Sequence, residues 1–343
     1  MKAVVLAGVQ DLRVVEVRDP ELSAPTDALV RVTTTGICGA DLFPFHGHTP
    51  GFENGTILGH EFVGVVEEVG PQVRTVKAGD RVVTTSTISC GVCAHCRAGR
   101  PSQCLERALF GYSGVYERLD GGQAELVRVP FADRCLRQLP DAIGDEAAVF
   151  VVDMLPTGLN AVRRAELVLG DVAVVVGCGA VGLMSILFAT RVARTVIAID
   201  GIPERRALAE QLGATAVSLD AARDAIDAAT EGLGADGVIE AAGTPGALTA
   251  ALTYARGRGV VSVVGAHFEH DFPLDNALMF ERELTLRVSW GDAFNDRDRL
   301  LAMIAAGALD PTPAITHRFA LADAAEAYGV FDARQAIKIV LTP

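Results

Sequence analysis

The feature that most constrains the fold of this chain is a run of apolar residues that leads directly into closely spaced glycines. Residues 172–176 read Val-Ala-Val-Val-Val, and residues 177–182 read Gly-Cys-Gly-Ala-Val-Gly. An apolar run without polar alternation is typical of a strand buried on both faces of a parallel sheet. The glycines allow a tight turn, and the residues after them predict a helix over 180–192. The sequence therefore predicts a doubly wound α/β unit around this turn.

Strand and helix patterns continue to alternate after this turn. Glu204–Leu212 is predicted to be a helix because Pro203 precedes it and Gly213 follows it, the positions that these residues prefer at helix ends. Further buried strands are predicted at Thr195–Ile199, Ala216–Leu219, Gly237–Ala241, Gly259–Val264 and Leu284–Val288. This alternation predicts a Rossmann sheet.

The first part of the chain, up to about residue 150, has a different pattern. Short β-type runs are separated by Gly, Pro and Asp, which favours a compact barrel-like or sandwich unit with functional loops. These runs are Ala28–Thr34, Phe62–Val69, Arg81–Thr85 and Ala124–Val129. After Trp290 we expect a helix over Arg297–Ala306. We then expect a helix and a last strand within Arg318–Val340, which return to the first domain.

The glycine-rich turn also predicts a dinucleotide site. Gly177, Gly179 and Gly182 have the G-x-G-x-x-G spacing, which becomes specific when it follows a strand and begins a helix. The glycines permit close approach of a pyrophosphate, and the helix that starts at Ala180 and Val181 would meet its negative charge.

Asp200 ends the next predicted strand, at the distance from the glycines that this motif expects. Its carboxylate would accept hydrogen bonds from the ribose hydroxyls and repel a 2′-phosphate, which favours NAD over NADP. Arg205 and Arg206 follow closely and leave NADP open as the less favoured alternative. These two arginines could equally lie on a solvated face of a helix.

Four of the seven cysteines lie close together in a Cys-x2-Cys-x2-Cys-x7-Cys pattern, namely Cys90, Cys93, Cys96 and Cys104. Four thiolates complete the tetrahedral shell of zinc and leave no position for chemistry, so this site is predicted to be structural. The spacing matches neither usual ferredoxin pattern, and four unrelated buried thiols are rare at this density. His95 is interpreted as a bystander, and Cys135 and Cys178 as structural thiols.

Composition limits the remaining possibilities. The chain has 343 residues, half of them hydrophobic, and a net charge of -13. The acidity argues against nucleic acid or an anionic membrane surface as a partner. No signal-peptide pattern and no unbroken run of ~18 apolar residues is present. We therefore expect a cytoplasmic protein that acts on a small-molecule substrate.

Two short motifs add a second group of metal-binding residue types. Residues 36–41 read Gly-Ile-Cys-Gly-Ala-Asp, and residues 59–61 read Gly-His-Glu. Together with the four-cysteine loop and the nucleotide motif, in this order along the whole chain, they resemble the medium-chain zinc-containing alcohol dehydrogenase family. The resemblance implies that Cys38 and His60 are ligands of a catalytic zinc. It also implies that Glu61 lies in or next to the first coordination shell.

The third ligand in that family is often a cysteine a few residues before a Thr-Gly pair. Here Asp153 stands at the ligand position, as in the branch that resembles glutathione-independent formaldehyde and sorbitol-type dehydrogenases. Zinc accepts carboxylate oxygen, and one thiolate with one carboxylate bring the same charge as two thiolates. Asp153 could instead cap the helix that follows. The ligand interpretation is favoured because an aspartate among apolar residues is costly to bury unless it is paired or bound to metal.

The resemblance further implies the architecture and the assembly. A GroES-like, β-rich catalytic domain is expected over 1–155, a Rossmann NAD-binding domain over 156–290, and a return to the catalytic domain over 291–343. The active site is expected in the cleft between the domains, with Thr157 near the nicotinamide. Three protein ligands leave a zinc position for a substrate oxygen. The chain is thus predicted to be an NAD-linked oxidoreductase that binds two zinc ions and forms a homodimer or homotetramer.

The sequence departs from the family at the proton relay. Ala40 stands where a Ser or Thr hydroxyl passes on the alcohol proton, and Phe43 stands where a His continues the relay. His46 and His48 could supply a substitute through water, or could simply lie on a loop. An enzyme that never deprotonates an alcohol, such as a reductase of an activated C=C or C=N bond, would not need the relay. A non-catalytic NAD-binding protein is the third alternative.

Overall fold

A computed structural model describes residues 1–267 and 274–343. In these ranges the chain forms two compact units. One consists of Met1–Asp153 together with Asp292–Pro343, and the other of Met154–Gly291. None of the helices in the described ranges has the length and apolar character needed to cross a membrane.

The first unit begins with antiparallel strands separated by long loops and short helices. The strands are β1 (Lys2–Gly8), β2 (Asp11–Glu16), β3 (Ala28–Ile37), β4 (Thr56–Ile57), β5 (Phe62–Val69), β6 (Arg81–Val83), β7 (Leu126–Val129) and β8 (Arg137–Gln138). The helices are α1 (Leu42–Phe45), α2 (Ala94–Arg97), α3 (Ala132–Cys135) and α4 (Asp145–Val149), with 3-10 turns at Gly39–Asp41 and Pro101–Gln103. Strand β3 is central, because both β5 and β7 pair with it.

The second unit is a six-stranded parallel sheet, as far as the described residues show, with helices between its strands. Its elements are α5 (Met154–Arg164), β9 (Val172–Val176), α6 (Ala180–Ala189), β10 (Thr195–Ile199), α7 (Pro203–Gln211), β11 (Thr215–Val217), α8 (Ala222–Thr230), β12 (Ala235–Glu240), α9 (Pro245–Tyr254), β13 (Ala255–Val263), α10 (Asn276–Glu281) and β14 (Thr285–Val288). The strand order is β11-β10-β9-β12-β13-β14. Strand β9 is wholly buried because it lies in the middle of this sheet.

The tail of the chain belongs to the first unit. It forms α11 (Ala293–Ala305), β15 (Ile315–Ala320), α12 (Ala324–Asp332) and β16 (Lys338–Thr342), with 3-10 turns at Thr312–Ala314 and Leu321–Asp323. Strand β16 pairs antiparallel with β3, with Ile339 opposite Ile37. The larger sheet of this unit therefore has the order β15-β16-β3-β5-β6-β8.

The observed ends of some strands and helices differ from the predicted ones where a side chain forms a hydrogen bond with the backbone. Strand β6 stops before Thr85, whose hydroxyl donates to the carbonyl of Thr87 at 2.7 Å and favours a turn. Helix α11 begins earlier than predicted because the Asp292 side chain accepts the backbone N–H of Asn295 and caps the helix there. Strands β1, β2 and β15 were not predicted from the sequence.

Arg297 is a buried cation that joins two helices of the first unit. It lies on α11 and is only 1% exposed. Its guanidinium donates to the carbonyl oxygens of Cys135 at 2.5 Å and Arg134 at 3.1 Å, at the end of α3. Burial lowers the pKa of Arg297 to about 10. The side chain therefore satisfies carbonyls that the end of α3 leaves unpaired.

Replacing Arg297 with Met should lower the free energy of unfolding by roughly 3 kcal/mol, because buried carbonyls lose a charged donor. Urea denaturation followed by circular dichroism measures this change. Arg299→Met is the matched control, since Arg299 is exposed on the same helix, and its effect should stay within about 0.5 kcal/mol. Equal stability of the two variants would contradict the role given to Arg297.

Candidate metal centres and dinucleotide site

The four cysteines of the sequence motif converge in one loop region around α2. The sulfur atoms of Cys90, Cys93, Cys96 and Cys104 all lie within 4.8 Å of one another. The Cys93 and Cys96 sulfurs are 3.5 Å apart, and so are those of Cys90 and Cys104. The backbone N–H of Cys96 lowers the pKa of Cys93 to about 6, whereas burial raises that of Cys104 to about 12. Such a set of thiols fits a closed tetrahedral zinc site, and His95 is not in this group.

A second cluster of donors forms where three distant segments of the first unit meet. Cys38 follows strand β3, His60 and Glu61 precede β5, and Asp153 precedes α5. One ligand atom from each of these four residues lies within 4.8 Å of the others. The Nε2 atom of His60 is 3.4 Å from Oδ2 of Asp153. The donors combine sulfur, nitrogen and oxygen, which is the mixture that catalytic zinc sites use.

The electrostatics of this cluster favour a bound cation. Burial raises the pKa of Cys38 to about 11 and also raises the pKa of Glu61. Burial alone would lower the pKa of His60, but the Asp41 carboxylate and Cys38 raise it well above its ordinary value. Three carboxyl groups and one thiol thus surround one buried imidazole, and a bound cation would offset more of their negative charge than the Lys338–Glu61 ion pair alone. Oε1 of Glu61 also has no hydrogen-bond partner within the described part of the chain. The residues present therefore fit a divalent metal ion.

The glycine-rich turn packs so closely against its own backbone that two of its positions have no room for a side chain. Gly177 has a φ of +94°, and a Cβ there would lie 2.9 Å from the backbone nitrogen of Ala242. A Cβ on Gly182 would lie 1.9 Å from the carbonyl oxygen of Gly177. Ala180 and Val181 form the first turn of α6. Only glycine can therefore occupy these two positions of the turn.

Asp200 lies beside the turn, at the end of β10. Its Oδ2 accepts the backbone N–H of Cys178 at 2.8 Å, and its Oδ1 accepts that of Ile202 at 2.8 Å. Arg205 is near the turn as well, since a Cβ on Gly179 would lie 4.0 Å from its guanidinium. Both residues are thus within reach of a ligand that occupies the glycine turn.

Comparison with known proteins identifies the family. Residues 24–141 match the Alcohol dehydrogenase GroES-like domain, and residues 180–306 match the Zinc-binding dehydrogenase family. The chain is 39% identical to a probable zinc-binding alcohol dehydrogenase of Mycobacterium tuberculosis, over 97% of this chain and 86% of that protein. The chain belongs to the medium-chain zinc-containing alcohol dehydrogenase family.

Solved structures give the same result for the fold. Alcohol dehydrogenase TADH from Thermus sp. ATN1 superimposes with a TM-score of 0.94 at 38% identity, covering 100% of this chain and 99% of that one. A zinc-binding dehydrogenase from Sinorhizobium meliloti bound to NADP superimposes with a TM-score of 0.86 at 31% identity, covering 100% and 99%. The predicted fold class, a GroES-like domain with a Rossmann domain, is confirmed. This dehydrogenase is an oxidoreductase of the NAD(P)-dependent, zinc-type class.

The dehydrogenase has no hydroxyl at position 40, and the nearby His46 is hydrogen-bonded to other side chains. Ala40 contributes only its carbonyl, which accepts the Tyr112 hydroxyl. The Nε2 atom of His46 lies 2.8 Å from Asp332, and its Nδ1 lies 3.1 Å from the amide of Gln10. The exposed ring of His48 has its centroid 5.9 Å from that of His46. Both ring nitrogens of His46 are therefore engaged by side chains rather than directed at the donor cluster.

Two residues around the donor cluster were not identified from the sequence. Asp41 is fully buried, and its Oδ1 lies 3.2 Å from Nδ1 of His60. Lys338 is also buried and pairs with Glu61, from which it is separated by 277 residues. Asp41 could have been identified from the sequence, because it lies three residues after Cys38 in the same motif. The Lys338 contact depends on the pairing of β16 with β3, which no local pattern reveals.

Thr157 and Phe110 are both buried, each within its own unit. Thr157 is buried on α5, and a Cβ on Gly291 would lie 2.5 Å from its hydroxyl oxygen. Phe110 packs edge to face against Phe62 in the core of the first unit, with ring centroids 5.2 Å apart. Phe110 is therefore a core residue of the first unit.

Proposed function

We propose that this dehydrogenase transfers a hydride between NAD(H) and the carbon of an alcohol or carbonyl group, at a zinc ion held by Cys38, His60 and Asp153. The supporting observation is the convergence of sulfur, nitrogen and carboxylate donors within 4.8 Å in one cluster. Glu61 would be a neighbouring or exchanging ligand. The four clustered cysteines would hold a second, structural zinc, giving two zinc ions per chain.

The chain's own residues would prepare this site for its metal. Zinc, when bound, supplies a Lewis acid that lowers the pKa of a substrate hydroxyl or polarises a carbonyl. Asp41 would keep the proton of His60 on Nδ1, so that Nε2 offers its lone pair to the donor cluster. Lys338 would balance the charge of Glu61. Cys38 and Asp153 would together bring two negative charges, enough to neutralise a divalent cation.

For the cofactor we propose NAD in preference to NADP. Gly177, Gly179 and Gly182 would accommodate the pyrophosphate, and Ala180 and Val181 would present backbone N–H groups to it. The carboxylate of Asp200 would accept the ribose hydroxyls and repel a 2′-phosphate. A relative of this fold does bind NADP, and Arg205 is the residue that would support it here. Thr157 would lie near the nicotinamide.

Reduction of an activated C=C or C=N bond is the second candidate activity. It is supported by Ala40 and Phe43, since both positions lack the relay groups that alcohol deprotonation uses in the family. A non-catalytic role is disfavoured, because the donors of both predicted metal sites are present and close together.

A substrate panel tests the activity. The protein would be incubated with NAD and a series of primary and secondary alcohols, and separately with NADH and enones. Turnover is followed at the absorbance of NADH. The main proposal expects alcohol oxidation with NAD. Turnover of enones alone would instead establish the second candidate and exclude the first.

Restoring the relay hydroxyl gives a sharper test of the same question. Ala40→Ser should raise kcat for alcohol oxidation by roughly tenfold, because positioned proton transfer contributes strongly to such steps. The enone rate should not change. Ala40→Gly is the control, since it alters the side-chain volume without adding a hydroxyl. An unchanged alcohol rate in Ala40→Ser would show that this enzyme does not use a relay at position 40.

The assembly and the cellular compartment are part of the proposal. We infer a homodimer or homotetramer, because β14 is an edge strand of the parallel sheet and its Val288 is 75% exposed. Multi-angle light scattering would measure the mass of the assembly. A reducing cytoplasm suits seven cysteines that are all unbridged.

A further inference from the structure

A chain of buried polar side chains extends from His60 on its Nδ1 side. Its members are Asp41, Gln123 and Tyr328, which are at most 1% exposed. Asp41 lies in the turn after Cys38, Gln123 precedes β7, and Tyr328 lies on α12. Polar groups this deeply buried are costly unless they satisfy one another. Their contacts therefore define a connected network and not a chance cluster.

The contacts of the network determine which group donates and which accepts in each hydrogen bond. Gln123 Nε2 donates to the carbonyl of Gly36 at 3.1 Å and to Oδ2 of Asp41 at 3.5 Å. Because its amide nitrogen faces two acceptors, its Oε1 must face the Tyr328 hydroxyl, which donates to it at 2.9 Å. The backbone N–H of Cys38 also donates to Oδ2 of Asp41 at 2.9 Å.

Asp41 is the acceptor at which these hydrogen bonds end. Its Oδ1 lies 3.2 Å from Nδ1 of His60, an ion-pair contact, and neither atom has a hydrogen-bond partner among residues 1–267 and 274–343. A carboxylate oxygen offers only acceptor sites, so its contact with the ring favours the tautomer of His60 that has its proton on Nδ1. The lone pair of the ring is then on Nε2, which faces the donor cluster. The position of Asp41 thus decides which nitrogen of His60 can bind a metal.

We propose that Gln123 and Tyr328 are positioning residues that fix the Asp41 carboxylate against His60 and so set how firmly the zinc of the Cys38 cluster is held. The inference rests on the proposed zinc site. Gln123 restrains Oδ2 of Asp41 directly, whereas Tyr328 acts one step further away by fixing the amide of Gln123. The effect of removing Gln123 should therefore exceed that of removing the Tyr328 hydroxyl.

Zinc release to a chelator tests this proposal without any substrate. The full-length protein is loaded with zinc and mixed with excess 4-(2-pyridylazo)resorcinol, and the colour of the zinc complex is followed with time. The wild type should release two zinc ions in separate phases. The phase that Asp153→Ala lacks belongs to the Cys38 cluster, and the phase that remains belongs to the four cysteines. The latter is an internal reference in every sample.

Gln123→Met removes the amide with little change in volume, and Tyr328→Phe removes only the hydroxyl. Loss of a partner that orients a ligand weakens metal binding by about 10- to 100-fold. Gln123→Met should therefore accelerate the Cys38-cluster phase at least tenfold, and Tyr328→Phe about threefold. In the cobalt-substituted protein, the visible bands of this site should shift in the same order. Thr56→Val is the matched control, because Thr56 is buried and its hydroxyl bonds only to Glu53 and Ser113 among the described residues.

The outcomes separate this proposal from the one on which it depends. Wild-type release rates and cobalt bands in both variants would overturn the positioning role, whatever their thermal stability. If Gln123→Met does not fold, Tyr328→Phe decides by the same measurement. Equally fast zinc release from the Cys38 cluster in Thr56→Val would show a general loss of packing and would also overturn the positioning role. A wild type that holds a single zinc, bound by the four cysteines, would instead overturn the proposed zinc site itself.

Discussion

Asp153→Ala is expected to lose one of two zinc ions and to lower the kcat/KM for alcohol oxidation by at least about a thousandfold. The Asp153 carboxylate belongs to the donor cluster and is the most weakly enclosed of its acids, with a quarter of its side chain exposed. Without it, Cys38 and His60 would have to hold the metal with Glu61, whose carboxylate is paired with Lys338. A Lewis-acid contribution of about 4 kcal/mol corresponds to about a thousandfold in rate.

Metal content by mass spectrometry and initial rates with NAD provide the two readouts for Asp153→Ala. Asp153→Cys is the matched control, because a thiolate restores both a zinc donor and the negative charge. This variant should regain the second zinc and a large part of the activity. Asp153→Asn keeps the shape but not the charge, and it should behave like the alanine variant. An alanine variant that holds two zinc ions at full activity would show that Asp153 only caps helix α5.

Asp200→Ala is the second change with a large expected effect. Its kcat/KM with NAD should fall about a hundredfold, because two carboxylate hydrogen bonds to the ribose are worth roughly 3 kcal/mol. The kcat/KM with NADP should rise about tenfold, because a like charge near the 2′-phosphate is gone and Arg205 and Arg206 remain. The ratio of the two values would thus change by about a thousandfold.

Two controls separate charge from structure in this experiment. The Asp200 carboxylate also accepts the backbone N–H groups of Cys178 and Ile202. Asp200→Asn keeps an acceptor for one of them while removing the charge, so it should show the gain with NADP but a smaller loss with NAD. Glu204→Ala removes an exposed carboxylate from the first turn of α7, and it should leave both values near wild type. No change in the cofactor ratio of Asp200→Ala would falsify the proposed basis for choosing NAD.

The sequence was sufficient for the parts of the fold that depend on local pattern. Strands β5, β9 and β10 have the predicted bounds because each is rich in β-branched or aromatic residues and is followed by turn residues. The glycine turn was predicted equally well, since its glycines are required by contacts within a few residues and with one neighbouring strand end. The two groups of candidate metal ligands came from short motifs, with the family resemblance connecting Cys38, His60 and Asp153.

The residues that support the donor cluster could not be predicted in the same way. Asp41 meets His60 only because β3 and β5 lie side by side, with Thr35 opposite Phe62. Gln123 and Tyr328 are 205 residues apart, and their hydrogen bond depends on where α12 packs. Strand β15 alternates buried and exposed residues weakly and is stabilised by its pairing with β16. Such features follow from long-range pairing, for which a single sequence contains little signal.

The pairing of β16 with β3 has a consequence for the order of events during synthesis. Cys38, His60 and Glu61 are translated well before Lys338, which pairs with Glu61 and follows it by 277 residues. The N-terminal part of the nascent polypeptide thus emerges with its acidic pocket lacking the counter-charge that its sheet finally provides. The full set of side chains around this pocket therefore comes together only after the segment that contains Lys338 has been made, whereas the four thiols of the cysteine loop are available within fifteen consecutive residues.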